Sequence, residues 1–283
     1  MKKYYIISES GADLSPELIE KHGILIAPMH LSLDGVDYVD GAVKVDEICE
    51  HFDRTGQIPK TSAAAPFEYV QLIEKIRKEN PDAVIIHIGY SAVLSSSFQN
   101  SLIASDGHKQ IYHIDSKNVS IGQAYIVAKA AELIENNPDI PTEDLITLIE
   151  EIAKNNKFWF IPGNLKFLRA GGRVSNIKSI IATLLHIKPL LELVDGKMVA
   201  TKNYRGTMAK VALKVIDDFF DRNTIDMETI FIGHTHTIDP ELKENMIKLV
   251  KQHGVKNVVW FKAGAVITSH AGPGGFGIAG TAK

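Results

Sequence analysis

Cysteine is almost absent: the 283-residue chain has one, Cys49. A single thiol can form neither an intramolecular disulfide nor a cysteine-based zinc cluster. In the helix-like stretch Val45-Asp46-Glu47-Ile48-Cys49 it reads as a small core filler. Charge of one sign is also missing. Lys and Arg number 31 against 34 Asp and Glu, a formal net charge of -3, so the balance carries no nucleic-acid footprint. Long apolar runs are lacking too. The greasiest region, Ile177 to Val194, is broken by Lys178, His186, Lys188, Pro189 and Glu192. No segment offers the roughly 20 apolar residues of a membrane span. The N-terminus, Met1 to Glu9, reaches polar residues too soon for a signal peptide. Together these features lead us to expect a cytoplasmic protein.

What is present is ordinary globular material, 45% hydrophobic and 23% charged. It suffices for a substantial core and a second apolar compartment, and the length fits one large or two ordinary domains. Strand and helix signals alternate. Tyr4 to Ile7, Ile24 to Ala27, Ala83 to Ile88 and Ile111 to Ile114 read as short buried strands. Helices are expected near Val45–Asp53, Pro66–Lys78, Ser96–Ala104 and Gly122–Glu135, and one opens at Ser15-Pro16 and ends at Gly23. This alternation predicts an N-terminal α/β domain, residues 1–156, with a mainly parallel sheet flanked by helices. The pattern changes after a helix over Thr142–Lys154. Leu190–Val194 and Met198–Lys202, joined by Asp195-Gly196, form a hairpin signal. A helix over Met208–Phe220 follows, then strands at Thr229–Gly233, Val258–Phe261 and Ala265–Thr268. Residues 157–283 are therefore expected to be a C-terminal α/β domain with a mixed or antiparallel sheet.

Four polar clusters follow or end apolar strands, where open α/β sheets bind ligands. In Lys60-Thr61-Ser62-Ala63-Ala64-Ala65-Pro66, hydroxyls stand beside small residues; they could bind a ligand or cap the next helix. In Gly89-Tyr90-Ser91-Ala92-Val93-Leu94-Ser95-Ser96-Ser97, serines could cap a helix, bind an anion or act as nucleophile. The nucleophile-elbow pattern G-x-S-x-G holds at Gly89 and Ser91 but fails at Val93. Leu168-Arg169-Ala170-Gly171-Gly172-Arg173 reads equally as a helix C-cap with solvated charges or as a close-approach turn beside a charge-pairing Arg173. The last cluster, His270-Ala271-Gly272-Pro273-Gly274-Gly275-Phe276-Gly277, matches G-x-G-x-x-G, but only six residues follow, so no dinucleotide-binding unit can be completed. It reads better as a backbone loop around a ligand headgroup, with His270 as a directed donor. His234 and His236 would share one strand face near Asp239, yet a metal site would need another ligand; we read them as loop or surface residues.

In order and spacing, these clusters resemble the DegV family. Ser8-Glu9-Ser10-Gly11-Ala12-Asp13-Leu14 resembles its T-D-S-x-A-D-L, Thr61-Ser62-Ala63-Ala64-Ala65-Pro66 its T-S-x-P-S segment, and Leu94-Ser95-Ser96-Ser97-Phe98-Gln99 its L-S-G-T-Y-Q. Asp115-Ser116-Lys117 with Gly122, Leu168 to Ser175 (L-x-x-G-G-R-I-S), Lys188-Pro189-Leu190-Leu191 and His270-Ala271-Gly272-Pro273-Gly274 (H-x-G-P-G) continue the match over nearly the whole chain. Glu9 departs from the usual Asp, Ala65 from a Ser and Ser96 from a Gly.

The resemblance implies a carrier without turnover of its own: the lipid-binding subunit of a bacterial fatty acid kinase, serving phospholipid synthesis. It would bury one long-chain fatty acid as ligand, with no cofactor or metal, and present the carboxylate to an ATP-dependent kinase subunit. Transient membrane contact would serve lipid exchange. By resemblance the carboxylate would meet Thr61, Ser62, Ser95, Ser96, His270 and Gly272, while Arg173 and Arg205 would face the headgroup or the kinase. The run containing Ile180, Leu184, Leu185 and Leu190 is a candidate wall for the acyl chain, although its spacing serves a plain core equally. Two other functions compete. One is a serine hydrolase acting on an acyl ester through Ser91 or Ser95 with His270, where Ser91, Asp115 and His270 could form a triad. The other is a nucleotide-dependent enzyme using the C-terminal glycine loop.

Overall fold

The structure is a computed structural model, and it describes residues 3–174 and 187–283. The chain opens with strand β1 (Tyr4–Glu9), a short 3-10 turn and helix α1 (Pro16–His22). Ser15 caps α1 by accepting the Leu18 amide at 3.3 Å, Pro16 takes the first position, and Gly23 closes it at φ 61°. Strands β2 (Leu25–Ala27), β3 (His30–Leu33) and β4 (Val36–Val39) follow, then α2 (Val45–Thr55), β5 (Lys60–Ser62), α3 (Pro66–Glu79) and β6 (Val84–Gly89). Helix α4 (Ser97–Ala104), β7 (Ile111–Asp115), α5 (Ser120–Asn136) and α6 (Thr142–Asn155) complete the first half.

Strands β2, β1, β6 and β7 form a parallel sheet in that order. The central strand β6 is buried at every position, which is why its sequence is continuously apolar save for His87. A second, three-stranded antiparallel sheet runs β4-β3-β5. Its hairpin turn is Asp34-Gly35, with φ of 52° and 79°, the left-handed pair of a two-residue turn.

The second half holds β8 (Asn156–Ile161), α7 (Leu165–Gly171), β9 (Ile187–Val194), β10 (Lys197–Arg205), α8 (Met208–Arg222), β11 (Thr229–His234), α9 (Pro240–Gln252), β12 (Asn257–Lys262), α10 (Ala265–Ala271) and β13 (Phe276–Thr281). Its strands form a mixed sheet, β10-β9-β8-β13-β11-β12, parallel only between β11 and β12. The Asp195-Gly196 turn of the β9–β10 hairpin has φ of 47° and 76°, as its sequence predicts. Alternation in β8 sends Trp159 and Ile161 into the core with Val211, Val215 and Phe219 of α8, and Phe158 to the opposite face.

Two readings of the C-terminal sequence are corrected. Residues 265–268, expected as strand, begin helix α10. A four-residue apolar run does not distinguish the two, and here a glycine at 264 opens a helix. Phe276 and Gly277, expected as part of a loop, begin β13, the strand between β8 and β11. Its glycines mark close packing: a Cβ at Gly277 would stand 2.8 Å from Phe158 Cε2 and 3.2 Å from the Trp159 carbonyl oxygen.

Helix α5 has no polar face over its first three turns, because it meets both large sheets. Ile126, Val127 and Ala130 pack with β1 and β6 residues, whereas Ile121, Ala124 and Tyr125 pack with Phe158, Phe231 and Phe261.

Phe219 is fully buried on the α8 side of the mixed sheet. Phe219→Ala is expected to cost about 3–5 kcal/mol of stability. Denaturant unfolding checks this by a lower midpoint at unchanged slope.

Candidate functional site

A cavity of about 300 Å³ lies where the first half, the mixed sheet and α10 meet. Its walls are mostly apolar. Ile121 enters from α5, Phe158 and Phe160 from β8, Met198 from β10, and Val266 and Ile267 from α10. The Phe-x-Phe repeat in β8 aims two rings at the same face, a period-2 signal that the sequence reading did not use.

The polar lining includes Thr61, Ser62, Ser95, Ser96, Arg173 and His270, with Ser120, His234 and Thr235. Thr61 and Ser62 lie on β5, the edge of the small sheet. Ser95 and Ser96 lie in the β6–α4 connection, and His270 in the last turn of α10. Thr61 and His270 are 209 positions apart in sequence, yet Thr61 Oγ1 and His270 Nε2 are 2.7 Å apart. Ser95 Oγ accepts the Ser97 amide at 3.2 Å and shares a proton with Ser97 Oγ at 3.0 Å. Ser97 Oγ already accepts the Ala64 amide. If Ser97 donates to Ser95, the Ser95 proton is left for a ligand.

Burial, reinforced by the nearby Arg173 guanidinium, pushes His270 down to about 4. The ring is therefore neutral at pH 7, with one N–H to give, and Arg173 supplies the fixed positive charge. Arg173 is exposed and donates to the Gly171 carbonyl at 2.7 Å.

The glycine pair in the third sequence cluster serves both readings. Gly172, at φ 65°, ends α7 as a left-handed C-cap. Gly171 makes room for the histidine: a Cβ there would lie 2.3 Å from His270 Nδ1.

Other expected site residues are placed differently. Gly272 shapes the turn after α10 and does not line the cavity. Its amide is taken by the Thr268 carbonyl and its carbonyl by the Thr235 hydroxyl, so it has no donor to spare. Leu190 is also corrected as a wall residue: it faces the α8 core, and its neighbour Leu191 packs with Leu168 and Val174 on the other face. Alternation along a strand makes that one-residue difference decisive. Arg205 is exposed at the end of β10 and away from the cavity lining. Ile180, Leu184 and Leu185 lie outside the described residues.

The hydrolase constellation is not assembled. Ser91 is fully buried, lies off the cavity and donates to the Gly196 carbonyl at 2.7 Å. Asp115 accepts the Ala92 and Lys117 amides, and the hydrogen bond of His270 goes to Thr61. His234, read as a loop or surface residue, lines the cavity beside Thr235. His236 instead lies 3.1 Å from Asp46. Among the described residues no cluster of His, Cys, Asp and Glu fits a metal ion.

Two of the sequence departures have local explanations. Glu9 is fully buried and accepts Tyr69 Oη, His87 Nε2, the Tyr90 amide and Gln123 Nε2 at 2.7 to 2.9 Å. Burial opposes its charge, but His87 and these donors together hold its carboxyl below the ordinary range. Ala65, without a capping hydroxyl, begins α3 with its own amide held by the Glu68 carboxylate at 2.6 Å.

The geometry can hold a small anionic group against neutral donors and one guanidinium, with an apolar tail in the adjoining space. Gly171→Ala is expected to displace the His270 ring and weaken retention of such a ligand at least tenfold. Titration of the delipidated protein checks this, and affinity equal to wild type would contradict the assignment.

The chain is similar to known proteins over its whole length. A family model described as an uncharacterised protein, DegV family, matches residues 3–283. A DegV domain-containing protein of Caldanaerobacter subterraneus subsp. tengcongensis is 29% identical over 282 residues, 98% of each chain. Among solved structures, a fatty-acid-binding DegV family protein of Thermus thermophilus matches with a TM-score of 0.88 at 23% identity, covering 99% of this chain and 100% of that one. DegV of Bacillus subtilis, a fatty acid binding protein, matches with a TM-score of 0.84 at 25% identity over 100% of each chain.

Proposed function

The chain belongs to the DegV family, and on that premise we propose that it binds one long-chain fatty acid and presents its carboxylate to an ATP-dependent fatty acid kinase subunit. The observation that carries this reading is the pairing of an apolar cavity with the polar group Thr61, His270 and Arg173. Each methylene buried in such a space gains about 0.8 kcal/mol. A carboxylate would be costly to bury without donors. Here the Ser95 hydroxyl can donate, and His270 Nε2–H donating to Thr61 Oγ1 leaves the Thr61 proton for the carboxylate, while Arg173 offsets the charge. Ser62 and Ser96, both exposed, would complete the headgroup end.

In this reading the ligand lies between an N-terminal domain, residues 1–156, and a C-terminal domain, residues 157–283. Lining residues from both support that arrangement, such as Thr61 and Ile121 from one and Phe160 and His270 from the other. The protein is then a cytoplasmic carrier whose own side chains break no bond. Exposed Arg205 is well disposed to meet the kinase, which would phosphorylate the presented carboxylate.

Extraction of the denatured protein should release a fatty acid identifiable by mass spectrometry; recovery of no lipid from repeated preparations would sink the proposal. His270→Ala is expected to lower fatty acid retention or phosphoryl transfer about tenfold. Arg205→Ala should spare lipid content and reduce only the kinase-coupled rate, and equal loss of both would make Arg205 a structural residue.

A further inference from the structure

Helix α10 has seven residues and begins at Gly264, which has no side chain to cap it. A helix this short depends on what holds its ends. The oxygens that meet its first amides come from the other half of the chain. Asp13 Oδ1 accepts the Gly264 amide at 2.7 Å, and Asp40 Oδ1 accepts the Val266 amide at 3.3 Å, with the Ala265 amide also directed at Asp40. Both carboxylates crowd residue 264: a Cβ built there would lie 3.3 Å from Asp13 Oδ1 and 3.6 Å from Asp40 Oδ1. A glycine lets the two approach together.

The carboxylates are themselves fixed. Asp13 is buried with left-handed backbone, φ 56°, and Asp13 Oδ2 accepts Ser120 Oγ at 2.5 Å from a residue that is also left-handed, φ 49°. Non-glycine residues in this region are strained, and such strain persists where the surroundings over-determine it. Asp40 is held by Ser10, whose hydroxyl oxygen also accepts the Met29 amide. Among the described residues no lysine, arginine or histidine forms an ion pair with either acid. Burial, with Asp40 adding to it, raises Asp13 to about 7. One buried and one half-buried acid, with no ion-pair partner among the described residues, are a costly way to cap seven residues.

We propose that Asp13 and Asp40 are positioning residues for His270: from the N-terminal half they anchor the amide end of α10, and so set where the histidine meets Thr61 and the ligand carboxylate. The inference rests on the fatty acid reading above. His270 lies four residues beyond Val266, one helical turn, so a shift at the anchored end is carried to the imidazole. Val266, Ile267 and Ala271 of the same helix line the cavity. Loss of the anchor should therefore be felt first at the headgroup, where hydrogen-bond geometry is strict, and less along the acyl chain, where contact is non-directional.

The test compares two ligands of equal chain length, palmitic acid and hexadecanol, titrated into the delipidated full-length protein. Asp13→Ala and Asp40→Ala are each expected to weaken the acid at least tenfold and the alcohol by less than twofold. Asp13→Asn, whose amide oxygen can still accept from Gly264, should restore the acid to within threefold. The His270 imidazole ¹⁵N signal of the unliganded protein, assigned by its loss in His270→Ala, should move in both alanine variants. Equal weakening of acid and alcohol, or an unmoved His270 signal, would overturn the positioning role. Should Asp13→Ala not fold, Asp40→Ala is judged by the same readouts. Wild-type protein that binds neither ligand, or both equally, would instead bring down the fatty acid reading and this inference with it.

Discussion

Burial of α5 between the two large sheets is the constraint on which the rest depends. A helix with no polar face over its first three turns cannot be left in solvent, so each sheet must offer it a face. The parallel sheet takes Ile126 and Val127, and the mixed sheet takes Tyr125 through the aromatic group of Phe158, Phe231 and Phe261. The cavity opens along this same seam, with Ile121 of the first turn in its wall. The helix that joins the halves thus also forms part of the ligand compartment.

Neither half contains the whole polar group of the cavity. Thr61 and the Ser95 loop come from the first half, and His270 and Arg173 from the second. Their meeting needs strict local geometry. Gly171 must lack a Cβ for His270 to fit, and α10 must be held at its amide end by Asp13 and Asp40. On the proposed function, carboxylate binding is therefore coupled to how the halves pack, which would suit the admission and release of a lipid.

Glu9 shows how the parallel sheet supports the same site from behind. Its carboxylate gathers Tyr69, His87, Gln123 and the amide of Tyr90, a cavity residue. A buried charge is tolerable because every oxygen is satisfied. The extra methylene relative to the aspartate of the family pattern is accommodated in this network, beneath the cavity wall.

The sequence by itself determined much of the scaffold. Ser15-Pro16 and Gly23 bounded α1, the apolar run at 84–88 marked a central strand, and Asp195-Gly196 fixed a hairpin, all because caps, periods and left-handed turns are local properties. Asp34-Gly35 carries the same turn signal. The order of polar clusters pointed to the family and to Thr61, Ser95 and His270. Tertiary structure alone decided the rest. It put Leu190 in the α8 core and Leu191 on the opposite face of β9, turned residues 265–268 into helix, and made a glycine-rich tail the strand β13. It also brought Asp13 and Asp40 to a helix more than 200 residues away. These outcomes depend on which face meets which neighbour and which distant oxygen meets which amide, and no local sequence period encodes either.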